Sequence, residues 1–401
     1  MRRTEPATAT TEPPGRLTLT GEGMAWLGAT ILLGGVGWMK SINLVLILAY
    51  MMAVALFLNG LLARLQVRRV SVMRDSTPPV YAGEETSLRI EVTNTATRRA
   101  TVSVEESISD EAVSWLVYRI AAQRMVSCAA RREFPKRGRF ARAISVASGF
   151  PLGLVRYERP LAAGQEFVVL PAAGVADANG LRQWILRQPG GDGRLRKVLR
   201  RVTTDQADVR GVRPYRPGDP IRGIHWRSSA RRGELMVREY DVAPSPDLVL
   251  VVEPWLPLNP TAMHQATLEA ALSLAVTIAR TWRQAYGARV TVAVAGDANS
   301  VRFTGSNDSD LREALIPLAE VVGAPNFDAL GTAAFDRAVH HAARVLVSSR
   351  PHSPYAATLT RATGHAFFAL SPADRLPWYE APGVRDQRTE VSQEGRVFSD
   401  L

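Results

Sequence analysis

Asp208-Val-Arg-Gly-Val-Arg213-Pro-Tyr215-Arg-Pro-Gly218-Asp219-Pro-Ile-Arg222-Gly-Ile-His225-Trp226-Arg-Ser-Ser-Ala-Arg231-Arg-Gly-Glu-Leu-Met-Val-Arg-Glu239-Tyr240 is the stretch around which the 401-residue chain is organised. Between Asp205 and Glu239 it carries eight arginines, five acidic residues and no lysine. Arginine presents a planar fork of donors that meets carboxylate or phosphate in bidentate fashion, so its exclusive use here is informative. Pro217-Gly218 reads as a turn that sets Asp219 beside Arg216 and Arg222. Gly233 ends the basic run, and Glu234 to Glu239 reads as a strand that leads through Pro244 and Pro246 into Leu248 to Val252.

Outward from this stretch, the chain after Leu248 alternates strands and helices. Asn259-Pro260-Thr261 caps a helix with the apolar stripe Leu268, Leu272, Ala275, Ile278 and Trp282, closed by Gly287. Strands are expected at 290–294, 301–303, 345–348 and 366–370. Helices are expected from Asp308 through Leu318, over 333–343 and over 355–362. Such alternation predicts an α/β domain with a mainly parallel sheet, spanning 205–371 with the signature stretch included. Residues 372–401 read as a polar, partly ordered tail.

Toward the N-terminus the texture differs. Residues 1–20 are rich in Thr, Pro and Glu and read as a disordered leader. Gly23–Met39 and Ile42–Ala63 are uncharged runs of 17 and 22 residues, separated by Lys40-Ser41. About 20 apolar residues cross a bilayer, so residues 21–64 read as a two-helix transmembrane hairpin in contact with lipid over 23–63. Trp26 and Trp38 suit the interfaces, and Gly28, Gly34, Gly35 and Gly37 allow close helix approach. A signal peptide is disfavoured, because no small-residue cleavage site precedes Lys40. Arg2, Arg3 and Arg16 precede the hairpin; Arg64, Arg68, Arg69 and Arg74 come after it as lipid-facing basic residues. The positive-inside bias places both flanks and the soluble bulk in the cytoplasm. Asn43 and Asn59, polar within the second run, read as interfacial or hairpin-packing amides rather than a functional path.

Residues 65–171 break into short apolar-alternating runs at 67–72, 86–92, 100–104, 114–120, 125–130, 141–146, 153–155 and 167–170, with turns between them. That spacing predicts an all-β sandwich with Cys128 and Trp115 in its core. Residues 172–204 read as a linker with a short helical piece near Leu181–Leu186 and a basic run from Arg194 to Arg201. A net charge of +11 points to an anionic neighbour, and the single cysteine excludes an internal disulfide.

The signature pattern is specific. Arg213-x-Tyr215-x-x-Gly218-Asp219-x-x-Arg222-x-Ile224-x-Trp226-x-x-x-Ala230-Arg231-x-Gly233-x-Leu235-x-Val237-x-Glu239 resembles the domain-of-unknown-function 58 family. The segment Arg137-Gly138-Arg139-Phe140 and the turn Gly149 to Leu154 also resemble that family's sandwich region. The resemblance implies a membrane-anchored bacterial or archaeal protein whose last domain is von Willebrand factor A-like. It further implies a partner role beside AAA-type ATPases of the MoxR group. In von Willebrand-type domains a metal is held by Asp-x-Ser-x-Ser at the end of the first strand. Here those positions are Glu253, Trp255 and Pro257, and Trp and Pro supply no hydroxyl oxygen, so the site reads as degenerate.

No Gly-x-Ser-x-Gly elbow, His-Glu-x-x-His pair or Walker loop occurs, and adjacent His340 and His341 point about 100° apart on a helix. His225, the signature's histidine, reads as buried or salt-bridged. Asp219, Arg213, Arg222, Arg231 and Glu239 read as an ion network locking the signature against the sheet, with Tyr215 and Trp226 packed beneath. The competing reading lets surface-facing arginines dock an acidic partner. The expected function is thus a non-enzymatic membrane-anchored scaffold or adaptor, with no cofactor, no catalytic residue and no small-molecule substrate. The alternative is a phosphate-ester or other hydrolase using Asp219, His225 and Glu239. Nucleic-acid binding rests on basic charge alone, which a membrane explains equally well.

Overall fold

A computed structural model describes residues 15–74, 77–108, 111–161, 166–189, 209–219, 221–240, 246–305, 307–327 and 342–383, with residues 193, 195, 196 and 199 besides. These divide into two units, residues 1–80 with 84–169 and residues 81–83 with 170–401.

Of the expected disordered leader, residues 1–14 lie outside the described residues, and residues 16–19 form a strand. β1 (Arg16–Leu19) pairs antiparallel with β9 (Val155–Leu161), Leu17 opposite Tyr157 and Leu19 opposite Val155. Four residues are too few to stand out in a polar leader, and the edge of β9 supplies the template. Helix α1 (Gly21–Met39) comes next, with Thr20 Oγ1 capping it by accepting from Gly23 N at 3.0 Å. After Lys40-Ser41-Ile42 the chain re-enters a helix, α2 (Asn43–Arg68). The two pack closely: Trp26 Nε1 donates to Met52 O at 3.1 Å, and a Cβ at Gly37 would meet Leu46 at 3.1 Å.

Among the described residues α2 is the one helix long and apolar enough to cross a membrane. Its large apolar side chains face outward from Leu44, 77 % exposed, through Phe57, 72 % exposed, to Leu65, 50 % exposed. Glu22 and the glycines dilute the apolar surface of α1.

Beyond α2 the expected sandwich strands are present, mostly longer than the sequence suggested: β2 (Val70–Arg74), β3 (Val80–Tyr81), β4 (Thr86–Asn94), β5 (Ala100–Ile108), β6 (Glu111–Ile120), β7 (Met125–Arg132), β8 (Gly138–Ser148), β9 and β10 (Glu166–Leu170). They form a three-stranded sheet β2-β4-β7 and a seven-stranded sheet β1-β9-β8-β10-β3, in which β5 pairs with β8 and β6 with β5. Alternation decides what is inside: Leu88, Ile90 and Val92 of β4 and Val102, Val104 and Ile108 of β5 are all buried. Trp115 is buried as expected. Cys128 is only half-buried, on the largely exposed β7, with its thiol pushed above the usual range by what burial it has.

Glu106 occupies an inward position of β5 and is fully buried. Arg142 Nε of β8 reaches its carboxylate at 2.8 Å and Arg74 Nε at 3.4 Å, the two arginine side chains being 2 % and 10 % exposed. Burial pulls the Arg74 guanidinium below its ordinary value, against the attraction of Glu106. Arg74 is therefore a core residue and not a lipid-facing one. It shares the face of Val70 and Val72 on β2, and that face looks inward. Arg64, Arg68 and Arg69 are exposed at the end of α2.

The second unit starts earlier than the sequence suggested. In the expected linker, β11 (Val175–Ala176) and α3 (Ala178–Arg187) are held to the α/β layer: Gly174 N donates to Thr277 Oγ1 at 2.8 Å and Tyr286 OH to Ala178 O at 3.1 Å. The expected tail closes on them, since β19 (Tyr379–Glu380) pairs with β11 and Asp177 N donates to Trp378 O at 2.8 Å. Trp378 is buried beside Trp184, and the expected tail beyond residue 383 lies outside the described residues.

Between them lie β12 (Val209–Pro214), α4 (Trp226–Arg232), β13 (Met236–Tyr240), β14 (Leu248–Glu253), α5 (Ala262–Tyr286), β15 (Val290–Val294), β16 (Asp297–Phe303), α6 (Asp308–Ala314), α7 (Ile316–Glu320), β17 (Ala343–Ser348), α8 (Tyr355–Thr363) and β18 (Phe368–Leu370). The sheet order is β16-β15-β14-β17-β18, parallel throughout except that β16 runs antiparallel to β15. The whole expected stripe of α5 is buried, Thr261 and His264 form a capping box at its start, and Gly287 closes it in the left-handed conformation. The helix expected as one piece from Asp308 divides at Leu315, ahead of Pro317. The helix expected at 333–343, with His340 and His341, lies outside the described residues apart from residues 342 and 343, and Ala343 opens β17.

Glu106→Ala leaves two arginines buried without their shared carboxylate. Loss of roughly 3–5 kcal/mol is expected, measured by denaturant unfolding of the detergent-solubilised chain against the wild type.

Candidate functional site

The signature folds as a hairpin closed by its own turn and helix. β12 pairs antiparallel with β13, Arg213 opposite Val237 and Pro214 opposite Met236. The loop between them is stitched back by Tyr215 N to Leu235 O at 2.8 Å and His225 N to Met236 O at 2.8 Å. Met236 and Val237 are buried, and Ile224 bridges to Val237.

Asp219 is the electrostatic centre of the turn. Its two oxygens accept from Arg213 Nη1 at 2.7 Å and Nη2 at 2.8 Å, a bidentate fork, and Arg216 N donates to Oδ2 at 2.9 Å. These bonds, the Arg213 side chain first, hold the carboxyl at about 2, below its ordinary 3.8. Gly218 stands at φ +106°, a backbone conformation open to glycine, and lets the chain swing Asp219 inward.

Of the expected five-membered network, the described residues show the Arg213–Asp219 fork, joined by the Arg216 backbone amide. Arg231 is exposed on the last turn of α4, and the side chains of Arg222 and Glu239 lie outside the described residues. The described bonds of the fork tie the hairpin to its own turn rather than to the large sheet.

His225 has a capping role. Its Nδ1 accepts from Ser228 N at 3.2 Å and stands 2.7 Å from Ser228 Oγ, which starts α4. It is half-buried rather than buried, and among the described residues no carboxylate pairs with it. Ser229 Oγ accepts from Met236 N at 2.8 Å and so couples α4 to β13. Gly233, in the left-handed conformation, ends the helix.

Trp226 is not packed beneath the segment. It is 65 % exposed, with Ile221 at 71 % and Leu235 at 47 %. In the same segment Arg216, Arg227, Arg231, Arg232 and Arg238 are exposed, while Tyr215 is half-buried. Periodicity does not reveal this, since an aromatic in an apolar-spaced run reads as core. The available signal was Trp226 heading a helix of seven residues, rich in Arg and Ser on an open face.

The second location is the C-terminal end of β14. Glu253 is fully buried; Arg350 Nη2 donates to Oε1 at 2.6 Å and Ser353 Oγ donates to Oε2. Arg350 also covers the Trp255 ring at 5.4 Å, and Ser349 Oγ donates to Trp255 O at 2.6 Å. The carboxylate that a metal would need is committed to a guanidinium supplied by the neighbouring strand end, where Glu253 lies opposite Ser348. Sequence reasoning missed Arg350 and Ser353, although Arg350 comes two residues after β17, beside the end of β14. Among the described residues no group of three or more His, Cys, Asp or Glu side chains is arranged to hold a metal ion.

Residues 211–365 match the family described as Protein of unknown function DUF58. That span runs from the β12 hairpin through α8 and takes in most of the signature and strands β14 to β17 of the sheet, with β18 beyond it. No curated protein matches the chain. Among solved structures, the chain is similar to the CARDB domain of a Pyrococcus furiosus protein at 11 % identity, with 25 % of this chain and 94 % of that one covered and a TM-score of 0.20. It is similar to PapD-like domain 7 of human CEP192 at 13 % identity, covering 25 % and 82 %, with a TM-score of 0.17. For the C-terminal domain of wzt the figures are 10 % identity, 27 % and 81 % coverage, and a TM-score of 0.16.

Because Asp219 titrates at about 2 in the folded chain and near 3.8 when exposed, its contribution to the DUF58 hairpin is full above pH 4 and is lost as pH falls through 2. The difference in melting temperature between wild type and Asp219→Asn is therefore expected to be largest above pH 4 and to close toward pH 2, by calorimetry across that range.

Proposed function

We propose that this chain is a membrane-anchored, non-enzymatic adaptor whose DUF58 region is a docking face for an acidic protein partner. The observation that carries the reading is Trp226, 65 % exposed in a segment where Ile221 and five arginines are exposed as well. Tryptophan and arginine are the residues that dominate binding energy at protein interfaces, and an exposed apolar patch rimmed by charge marks such a surface. The fork of Arg213 on Asp219 holds the hairpin that displays them.

The α/β sheet is read as von Willebrand factor A-like, supported by its central parallel strands, alternating helices and an acidic residue at the end of β14. With Glu253 neutralised by Arg350, partner binding through this edge proceeds without a bridging metal. α1 and α2 together form the two-pass anchor, and the exposed Arg64, Arg68 and Arg69 at its end support a cytoplasmic location for the sandwich and the α/β unit. The partner is an AAA-type ATPase of the MoxR group.

The hydrolase reading has less support. The Asp219 carboxylate is committed to Arg213 and Arg216, and His225 Nδ1 to the helix cap, so neither is left free as a base.

Affinity capture of the tagged full chain from detergent-solubilised host membranes, with identification of the bound proteins, tests this. An AAA-type ATPase is expected with the wild type. With Trp226→Ala its affinity is expected to fall by roughly 30-fold, the equivalent of about 2 kcal/mol. Unchanged capture by Trp226→Ala, or a phosphate-ester turnover abolished in Asp219→Asn, overturns the adaptor reading.

A further inference from the structure

The anchor and the sandwich meet through a buried amide. Asn59 of α2 is 1 % exposed; its Nδ2 donates to Gly149 O at 3.0 Å, and its Oδ1 accepts from Val155 N at 2.8 Å. The sequence reads it as an interfacial or hairpin-packing amide; its partners make it the clamp on the turn between β8 and β9. Thr20, the cap of α1, grips the same turn through Gly153 O at 2.7 Å and Leu154 O at 3.0 Å.

The depth of Asn59 derives from α2 itself. At 1.5 Å per residue, a hydrocarbon core of about 30 Å takes up about 20 residues. Counted from Ile42, where the apolar run begins, that reaches Leu62, with Arg64 the first charge beyond. Asn59 thus stands about 4–5 Å inside the hydrocarbon boundary by the same rise, and the turn it clamps stands at the same level.

The turn has the properties such a position demands. Irregular backbone is tolerated at membrane depth only where its polar groups are satisfied internally. Gly153 N donates to Gly149 O at 2.8 Å, Phe150 N donates to Ser148 Oγ at 3.3 Å, Pro151 has no N–H, and further bonds go to Asn59 and Thr20. Its side chains point the other way: Phe150 is 43 % exposed and Leu152 52 %. On the adjoining β1, Leu17 is 56 % and Leu19 42 % exposed. These two sit at the same height, since a Cβ at Gly60 would lie 3.9 Å from Leu17 and one at Gly23 would lie 3.2 Å from Leu19.

We infer that Phe150 and Leu152, with Leu17 and Leu19, insert into the acyl-chain boundary of the bilayer, so that the sandwich is seated in the lipid and not held clear of it. The inference rests on the proposed anchor, which places α2 across the membrane. The occupant of the patch is lipid because the four side chains continue the exposed apolar surface of α2 at the depth fixed by Asn59. A protein partner there would have to enter the hydrocarbon.

Site-directed spin labelling of the full chain in lipid nanodiscs tests this, in a Cys128→Ser background with single cysteines at Leu152, Phe57 and Ser87. Phe57 is 72 % exposed on α2; Ser87 is exposed on β4, seven residues from the Asn94 end that adjoins Arg69 through Thr95 N. The label at Leu152→Cys is expected to match Phe57→Cys, open to oxygen collisions and protected from a water-soluble nickel chelate, while Ser87→Cys shows the reverse. If Leu152→Cys behaves like Ser87→Cys while Phe57→Cys reports lipid, the seating is wrong and the anchor stands. If Phe57→Cys is itself open to the chelate, the anchor fails. Should Leu152→Cys not fold, Leu19→Cys is read in the same way.

Discussion

The two hydrogen bonds of the Asn59 carboxamide are the constraint on which the first unit depends. A buried amide in an apolar helix is costly unless both its donor and its acceptor are used. Here both are used on the backbone of one turn, so helix and sandwich satisfy each other's polar groups at a single point. Gln66 repeats the arrangement two turns along, accepting from Thr101 N of β5 at 2.7 Å. Thr95 N and Arg69 O close the next contact at 2.9 Å. Between these bonds Ala63 and Val67 of α2 are fully buried. α2 therefore continues into the sandwich as a structural member and does not end in a loose tether.

In the second unit, buried charge is handled by the same close pairing. Glu253 ends a strand in which every residue is buried, and a carboxylate there must be matched. Arg350 and Ser353 match it from the adjacent strand end, and Trp255 roofs the guanidinium. Asp219 and Arg213 make a second fork at a more open position, with side chains 16 % and 33 % exposed. The first pair secures the edge of the sheet; the second shapes a hairpin that leaves Trp226 and its arginines on the surface.

Much of this was legible in the sequence. The alternating runs at 86–92 and 100–104 fall within β4 and β5, and the 3.6-residue stripe of α5 is buried at every position. The same alternation, pressed one step further, puts Glu106 with Val104 and Ile108, and Arg74 with Val72, on inward faces. What sequence could not supply were long-range partners. β1 exists only because β9 offers an edge 138 residues away, and β19 only because β11 does. Asn59 reads as an interfacial or hairpin-packing amide until Gly149 and Val155 are brought to it. Trp226 reads as core until the hairpin is seen to turn it outward. Pairing between residues far apart in the chain overrode local texture in each case.

The central claim, that α2 and the sandwich form one body seated in the bilayer surface, is most directly tested by neutron reflectometry of the full chain in a supported bilayer with contrast-matched water. A protein density that begins within the headgroup layer, with no water-filled gap beneath it, is the predicted profile. A hydrated layer separating the sandwich from the headgroups would contradict the account.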